Sequence, residues 1–373
     1  MCHLNLVNLP SNIKLFLFKI YQKKAIIKRM VKLKEKVLKA EQLILCLITG
    51  TLMVGINESY AAKGIQFVNY NGWQNSIIIE ANEAEVEVVI VPAIGGRIMR
   101  YELYGDSILY ENKNAYGITL EDGGNPFFAG GYQFDIGPEN REYPASVPIW
   151  LGKWEIVKTG DYSVHLKSVP DPKASAQLEK EIVVDPENGE IGIVQRIRNI
   201  SDRELDFSHW DKTVCRGGGF IIMPLSKSSK FPAGWTLRRK VENIFVYDGI
   251  KPSSPNVRVL GKFVVGKGDE NAIKIGSDSD AGWIAYVLGT TMFVKYFPVE
   301  KNGNYESGNV CFAFLSDRIV EFGPVSPKKS VKPGEPYDFP EKWTLIQLKE
   351  PVTDFKQAKS AAEKIPPSPF NIK

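Results

Sequence analysis

The chain has 373 residues, of which 43% are hydrophobic and 24% charged, and these proportions are ordinary for a globular protein. The formal charge of +4 comes from the first 61 residues, where ten Lys/Arg face three Glu, so the remainder carries −3. A mildly acidic globular part argues against a nucleic-acid partner.

Residues 1–61 are predicted to be a basic leader with a signal peptide. A lysine-rich stretch, residues 23–39, precedes an apolar run, residues 43–56, of signal-peptide length and too short to span a bilayer comfortably. The tripeptide SYA places small residues at the two positions that a signal peptidase reads. We expect cleavage after Ala61 or Ala62.

Export would put the mature protein in the periplasm or outside the cell, without stable membrane insertion after cleavage. An uncleaved membrane anchor is the alternative. The 29 residues before Met30 are long for the start of a signal peptide, so Met30 is a second candidate start beside Met1.

Two cysteines, Cys215 and Cys311, lie outside the leader. An exported protein could join them in one disulfide. Both lie in apolar, strand-like contexts, where buried free thiols fit equally well. No CxxC motif and no His/Cys cluster is present, so we predict neither a metal nor another cofactor.

Strand patterns dominate from residue 64 to residue 348. The alternating or β-branched runs are residues 86–91, 97–104, 155–158, 163–167, 180–184, 191–198, 205–210, 220–223, 257–265, 272–275, 283–288, 292–296, 310–315 and 319–322. Many short strands separated by turn residues are typical of a sandwich or barrel. We predict one all-β domain, residues 62–350, as a large antiparallel β-sandwich with few short helices. Residues 351–373 are predicted to be a short helix and a proline-rich tail.

A double glycine joins two of the predicted strands. In IVPAIGGRIMRYELY, residues 90–104, the first strand ends at Pro92, the chain turns through Gly95 and Gly96, and the second strand begins at Arg97. Glycine permits a sharp turn where a side chain would clash. The turn therefore presents Arg97 from a fixed scaffold, as a candidate substrate-binding group.

A long segment, residues 123–149, mixes glycine, proline and aromatic residues with charged ones, and we predict it to be irregular. Loops of this length are uncommon unless they are functional. Within it, Tyr132, Asp135 and Glu139 are candidate substrate-binding residues. Paired carboxylates on a rigid turn suit acid/base chemistry or hydrogen bonding to hydroxyls, and they also suit ordinary loop capping.

Two histidines lie outside the leader. His165 alternates with apolar neighbours, which predicts a solvent-facing strand position, whereas His209 lies beside Trp210 in LDFSHWDKT. A histidine next to an aromatic ring and a carboxylate suits a general acid with a stacking platform, and a partly buried histidine bonded to a loop is the alternative. Glu321, in RIVEFGPVSP, is either an exposed strand residue or a paired functional carboxylate.

Four blocks of the sequence together resemble the galactose-mutarotase-like superfamily, in particular its uncharacterised exported members. The blocks are IVPAIGGRIMRYEL, GGYQFDIGPE, NISDRELDFSHWDKT and RIVEFGPVSP followed by VKPGEPYDFPEKW. Their order and spacing cover most of residues 64–348. The resemblance implies a large antiparallel β-sandwich with a sugar-sized cleft on the concave face of one sheet.

In aldose 1-epimerases of that superfamily, a glutamate takes the anomeric hydroxyl proton and a histidine protonates the ring oxygen. The resemblance makes Glu321 the general base, His209 the general acid and Arg97 a sugar-binding arginine. The chain departs from the family at two motifs. His-Gly-Gly is replaced by Ala-Gly-Gly at residues 129–131, and His-Pro-Tyr-Phe by His-Trp-Asp-Lys at residues 209–212.

Aromatic residues interleaved with polar ones suit a carbohydrate independently of that resemblance. The C–H faces of a pyranose stack on rings, while charged groups bind its hydroxyls. Tyr132, Trp210 and Trp235, the last in a turn-rich segment at residues 226–235, are candidates for stacking, and core packing is the alternative for each.

We therefore predict an exported carbohydrate-binding protein that could act on a sugar by His/carboxylate proton transfer, as an isomerase of the aldose 1-epimerase type. The first alternative is a non-catalytic glycan-binding or envelope structural protein. The absence of the family's second histidine, which helps to hold the sugar and is replaced by Ala129 in the Ala-Gly-Gly motif, favours this alternative. The second is an accessory domain of a polysaccharide lyase or hydrolase.

Overall fold

The structure is a computed structural model that describes residues 64–137, 146–242 and 244–371. The leader with its expected cleavage site lies outside the described residues, and so does Glu139. Within the described ranges, no helix is both long enough and apolar enough to cross a bilayer. The predicted all-β class is confirmed, because paired antiparallel strands make up most of the described chain.

The strands are numbered in chain order. The first twelve are β1 (Ile65–Tyr70), β2 (Trp73–Ala81), β3 (Val86–Val91), β4 (Arg97–Leu103), β5 (Asp106–Ser107), β6 (Gly131–Ile136), β7 (Glu155–Gly160), β8 (Ser163–Lys167), β9 (Ala176–Val184), β10 (Ile191–Asn199), β11 (Leu205–Phe207) and β12 (His209–Arg216). The others are β13 (Phe220–Pro224), β14 (Thr236–Val241), β15 (Ile244–Tyr247), β16 (Val257–Leu260), β17 (Phe263–Lys267), β18 (Ile273–Ser277), β19 (Trp283–Tyr296), β20 (Cys311–Leu315), β21 (Ile319–Pro324), β22 (Lys329–Val331) and β23 (Pro336–Val352).

Helical structure in the described ranges is short. The helices are α1 (Val147–Leu151) and α2 (Phe355–Ala362), with 3₁₀ turns at Pro92–Ile94, Lys113–Ala115, Glu306–Gly308 and Pro369–Asn371. Asp354 caps α2 by accepting hydrogen bonds from the backbone of Lys356 and Gln357. The predicted C-terminal helix is therefore confirmed. Its alanine face packs on the nine-stranded sheet described below, around Phe220 and Val265.

Two large antiparallel sheets form the sandwich in the described part of the chain. A 12-stranded sheet has the order β1-β2-β3-β4-β6-β12-β21-β20-β18-β14-β15, with β5 added beside β4. A nine-stranded sheet has the order β16-β17-β13-β19-β23-β10-β9-β8-β7, and β11 pairs with β22. Antiparallel pairing suits this arrangement because short turns join neighbouring strands.

The main core lies between the two sheets. Tyr101 on β4 packs edge-on against Phe293 on β19, with ring centroids 5.6 Å apart, and Tyr132 on β6 packs against Trp343 on β23 at 4.8 Å. Side chains that alternate with these on the large sheet point the opposite way. This outward face of the 12-stranded sheet carries the candidate site.

Several predicted boundaries differ from the observed ones. Residues 123–149 are not wholly irregular, because β6 lies inside that segment and every residue of β6 is buried. The two runs predicted within 283–296 form one 14-residue strand, β19. The run at 257–265 divides into β16 and β17 at Gly261, whose φ of 65° marks the turn.

Cys215 and Cys311 are buried free thiols rather than a disulfide. They lie on β12 and β20, strands that both pair with β21. Burial raises the pKa of the Cys311 thiol to about 12 and raises that of Cys215 as well. A thiol in such surroundings behaves as a small apolar side chain.

Candidate functional site

A cavity of about 610 Å³ lies on the outward face of the 12-stranded sheet. Charged side chains from four strands of the sheet and from one turn line it, namely Arg97, Lys212, Lys274, Arg318 and Glu321. Aromatic side chains form much of the remaining wall, namely Tyr110, Phe127, Phe128, Trp150 and Phe314. A concave space of this size, mainly apolar with a few charged groups, is typical of a small-molecule site.

One cross-strand row forms the floor of the cavity. Val214 on β12 pairs with Glu321 on β21, Glu321 pairs with Phe314 on β20, and Phe314 pairs with Lys274 on β18. Adjacent strands lie about 4.8 Å apart, so the row places the Phe314 ring between an ammonium and a carboxylate. This arrangement is an aromatic platform with one charge of each sign at its two sides.

The burial of Lys274 changes its acidity. The residue is 7% exposed, and burial lowers the pKa of its ammonium, while the negative charge of Glu321 acts in the opposite direction. Removing a lysine from water disfavours its charged form. The Lys274 ammonium therefore gives up its proton more readily than an exposed lysine does.

A second cluster lies around Trp150, which α1 carries. The Arg97 guanidinium and the Lys212 ammonium lie 5.2 Å and 5.0 Å from the centroids of the Trp150 rings that they face. Arg97 also donates a hydrogen bond to the carbonyl of Gly130 at 2.9 Å, and Lys212 lies 3.5 Å from the Asp135 carboxylate. Cations near a tryptophan face are attracted by the ring quadrupole. The cluster therefore places two cations beside Trp150, with the Asp135 carboxylate next to one of them.

The glycine turn explains how Arg97 reaches this place. Gly95 and Gly96 have φ values of 81° and 58°, and β4 begins at Arg97, as the sequence predicts. A Cβ atom on Gly95 would lie 2.2 Å from both the Trp150 carbonyl oxygen and the Gln133 side-chain nitrogen. The turn therefore packs directly against the helix that carries Trp150.

His209 lies on the opposite face of the sheet from the cavity. Its side chain is fully buried between the sheets, where its ring stacks on Phe339 at 5.6 Å and meets Tyr337 edge-on at 4.7 Å. Its backbone N–H donates to the Ser326 hydroxyl at 2.7 Å. Burial lowers the pKa of His209 to about 3. The expected meeting of His209 and Glu321 in one pocket is therefore not found.

The other predicted site residues divide between the two faces. Arg97 and Glu321 line the cavity, and Asp135 adjoins it through Lys212. Tyr132 and Trp235 belong instead to the core between the sheets, so the expected stacking on a ligand is not supported by their positions.

Trp210 points to the cavity side but is covered. It stacks on Phe312 at 5.1 Å with the ring planes 17° apart, and Lys274 lies 5.9 Å from its ring centroid. With only 4% of its surface exposed, Trp210 supports the floor of the cavity rather than lining it. His165, on β8 of the other sheet, is half-buried and lies 3.1 Å from the Glu179 carboxylate.

Sequence analysis missed several residues of the cavity, in particular Trp150, Lys212, Lys274 and Phe314. A signal was available in β18, where Lys274 lies between Ile273 and Ile275 and so interrupts an otherwise apolar run. Lys212, between Asp211 and Thr213, gave no such signal. A lysine in such a run indicates a charged group that the fold uses.

A separate charged network lies behind the cavity, in the core. The Lys295 ammonium lies 2.5 Å from the Asp211 carboxylate and 3.1 Å from the Glu341 carboxylate, and it donates to the Thr213 hydroxyl at 2.8 Å. Burial and the charge of Glu341 raise the pKa of Asp211. Within the described ranges, no three His, Cys, Asp or Glu side chains gather in a group that could hold a metal ion.

The sequence matches no protein-family model and no curated protein. Among solved structures, a galactose mutarotase-like protein from Lactobacillus casei is similar with a TM-score of 0.51 at 10% identity, over 73% of this chain and 100% of that chain. A TPR-domain containing protein from Parabacteroides distasonis gives 0.51 at 12% identity, over 80% of this chain and 50% of that one. Galactose 1-epimerase from Lactobacillus acidophilus gives 0.47 at 12% identity, over 76% and 99%. The fold of this chain is that of the galactose mutarotase-like proteins.

Proposed function

We propose that the cavity on the 12-stranded sheet binds a carbohydrate. The observation that carries the proposal is the row in which Phe314 lies between Lys274 and Glu321. The apolar face of a sugar ring stacks on an aromatic side chain, while its hydroxyls take charge-assisted hydrogen bonds from groups at the rim of that ring. The similarity of the fold to galactose mutarotase-like proteins supports the same ligand class.

The walls of the cavity suit the same ligand. Tyr110, Phe127 and Phe128 add aromatic surface, and Asn112 and Asn114 add amide groups that donate and accept hydrogen bonds. Phe127 is held edge-on against Trp150 at 5.0 Å, so the wall is packed and preorganised. Such a wall reduces the loss of side-chain entropy on binding.

Binding without catalysis is the favoured form of this function. Among the described side chains that line the cavity, Glu321 is the only carboxylate and none is a histidine. His209 is separated from the cavity by the sheet and is neutral at neutral pH because burial lowers its pKa to about 3. The acid/base pair expected from the sequence is therefore not assembled around a common ligand position.

A second candidate function, anomeric proton transfer, is favoured by the lowered pKa of Lys274 opposite Glu321. In this case the Glu321 carboxylate takes the proton of the anomeric hydroxyl, and the Lys274 ammonium gives a proton to the ring oxygen as the C1–O5 bond breaks. Rotation of the open-chain aldehyde and the reverse steps return both protons. Lys274 takes the role that the sequence assigned to His209.

Calorimetry with the variants Phe314→Ala and Glu321→Gln tests the binding proposal. We expect each to weaken binding of a hexose or a short glycan about tenfold, while Phe67→Ala, an exposed aromatic change on β1 of the same sheet, leaves affinity unchanged. Unchanged affinity in the first two variants would contradict the proposal. Anomer exchange followed by NMR separates the two candidates, because only the catalytic one predicts an exchange rate above that of buffer.

We also propose that the chain is exported. The lysine-rich stretch, the apolar run at residues 43–56 and the SYA tripeptide support this proposal. N-terminal sequencing of the protein from its native cells should find a start at Ala62 or Lys63. A start at Met1 or Met30 would contradict cleavage.

A further inference from the structure

The cavity is longer than a single sugar ring. Its lining residues extend from Arg97 on β4 to Lys274 on β18, and β6, β12, β21 and β20 lie between these two strands. Neighbouring strands lie about 4.8 Å apart, so the five intervals amount to roughly 24 Å across the sheet. A volume of about 610 Å³ lies in the range that holds a drug-sized ligand, which has more atoms than one hexose. The cavity therefore offers room for several sugar units.

Aromatic rings line this length at two separate places. Phe314 lies on β20, whereas the Trp150 rings lie beside Arg97 of β4 and Lys212 of β12. Phe127 packs edge-on against Trp150 at 5.0 Å and extends this second group. Because β20 is two strands from β12 and four from β4, about 10 to 19 Å separate the two groups along the sheet. A pyranose ring is little longer than one strand interval, so it cannot stack on both.

Phe128 is the exposed member of the second group. It lines the cavity, and its exposed fraction is 73%. Its ring meets Phe127 edge-on at 4.5 Å, and its turn is closed by a hydrogen bond that the Ala129 N–H donates to the Pro126 carbonyl at 3.0 Å. A side chain held in this way loses little conformational entropy when a ligand covers it. Phe128 therefore provides a fixed stacking surface at the rim of the cavity.

We propose that the cavity binds a glycan chain of at least three units, with one unit on Phe314 and another on Phe128. At least one unit lies between them, because each unit of such a chain is about as long as one strand interval. The proposal rests on the proposed carbohydrate function and narrows its ligand class. Joining the two stacked units in one molecule makes the second contact intramolecular, so a chain gains affinity over a monosaccharide.

Calorimetry with two series of sugars tests the inference. One series is galactose with its β-1,4-linked oligomers of two to five units, and the other is glucose with its β-1,4-linked oligomers of the same lengths. In at least one series, we expect affinity to rise about tenfold between the dimer and the pentamer, which corresponds to about 1.4 kcal/mol. The dimer should bind much like the monosaccharide, because it is too short to reach both rings.

Three variants locate the gain with chain length. Phe128→Ala should reduce it from about tenfold to about twofold, whereas Phe128→Tyr, which keeps a ring, should retain it. Phe314→Ala should weaken binding of every length by a similar factor. The exposed Phe67→Ala on β1 of the same sheet is the control and should change neither affinity nor gain. Phe128 is exposed, so its substitution carries little risk to folding, and thermal unfolding of each variant checks this.

Each other outcome has a definite meaning. Equal affinity for the monosaccharide and for every longer chain overturns the inference and leaves carbohydrate binding intact. A gain that is complete at the dimer, or one that survives in Phe128→Ala, also overturns it, because neither needs two separated rings. Absence of binding by every member of both series overturns the proposed function itself.

Discussion

Two buried lysines, one in the core between the sheets and one in the cavity on the outer face of the 12-stranded sheet, show how differently this fold accommodates buried charge. Lys295, in the core between the sheets, is in direct contact with the carboxylates of Asp211 and Glu341. Lys274, in the cavity on the other side, faces Glu321 across the Phe314 ring. Lys295 is thus closed in ion pairs, whereas an aromatic ring lies between Lys274 and Glu321. The cavity proposed to hold a ligand lies on the outer face.

The same substitution in the two lysines should give very different stabilities. Lys295→Met leaves two buried carboxylates without their cation, and we expect the free energy of unfolding to fall by about 3 to 5 kcal/mol. Lys274→Met removes a cation whose burial lowers its pKa and which faces Glu321 across the Phe314 ring, so a change within about 1 kcal/mol is expected. Urea unfolding of both variants measures the difference, and equal losses would contradict the distinction between the faces.

Substitutions of His209 and Glu321 should separate stability from binding. His209→Ala opens a cavity in the packed core and is expected to cost about 2 kcal/mol of unfolding free energy, with sugar affinity unchanged. Glu321→Gln is expected to weaken sugar binding about tenfold with little effect on stability. Calorimetry on the folded fraction of each variant makes the test. Loss of sugar binding in folded His209→Ala would contradict the assignment of His209 to the core and would support a role for it in the binding site.

The buried histidine also predicts an acid-sensitive core. Its pKa is about 3 in the folded protein and about 6.5 in the unfolded chain, so the unfolded chain binds the proton first as the pH falls. The stability that His209 contributes is complete above pH ~6.5 and declines by about 1.4 kcal/mol per pH unit below it. At pH ~5 the loss from this residue is about 2 kcal/mol.

His209→Phe removes the titrating group while keeping an aromatic ring between Phe134 and Phe339. Urea unfolding of the wild type and this variant at pH 7 and pH ~5 isolates the contribution. The difference in unfolding free energy between the variant and the wild type should shift by about 2 kcal/mol in favour of the variant when the pH falls from 7 to ~5. A gap that stays constant would show that His209 does not titrate in this range.

The smallest expected effect concerns thiol chemistry on β12. Cys215 points into the core and its thiol pKa is raised, so we expect it not to react with a thiol reagent in a folded chain that begins at Ala62 and therefore lacks Cys2 and Cys46. Val214, one residue earlier, lines the cavity, so Val214→Cys should introduce one reactive thiol that a bound sugar protects. With a thiol reagent that releases a chromophore, the absorbance counts the thiols that have reacted. Reaction of the wild type at the same rate would contradict the assignment of faces.

Local patterns predicted much of the fold and part of the site. The limits of β3 and β8 match their apolar runs, and the Gly95-Gly96 turn places Arg97 at the start of β4 because only glycine adopts those φ values at so close a contact. The strand β6 was missed, since a glycine pair followed by aromatic and polar residues is typical of a loop.

The orientation of β12 could not be predicted from its sequence. The first five residues of the strand are all buried, since the core covers one face and the floor of the cavity covers the other. Alternation between apolar and polar residues distinguishes the faces only when one of them meets water. His209 and Trp210 therefore gave no local sign of which one points toward a ligand.

By itself the sequence determined an all-β sandwich, a glycine turn that presents an arginine, and a set of aromatic and charged residues that suit a sugar. Only the tertiary structure decided which of them meet. The order β4-β6-β12-β21-β20-β18 brings Arg97, Lys212, Glu321 and Lys274 to one cavity from distant parts of the chain. Strand order depends on long-range pairing, which local periodicity does not encode, and the same pairing turns His209 into the core.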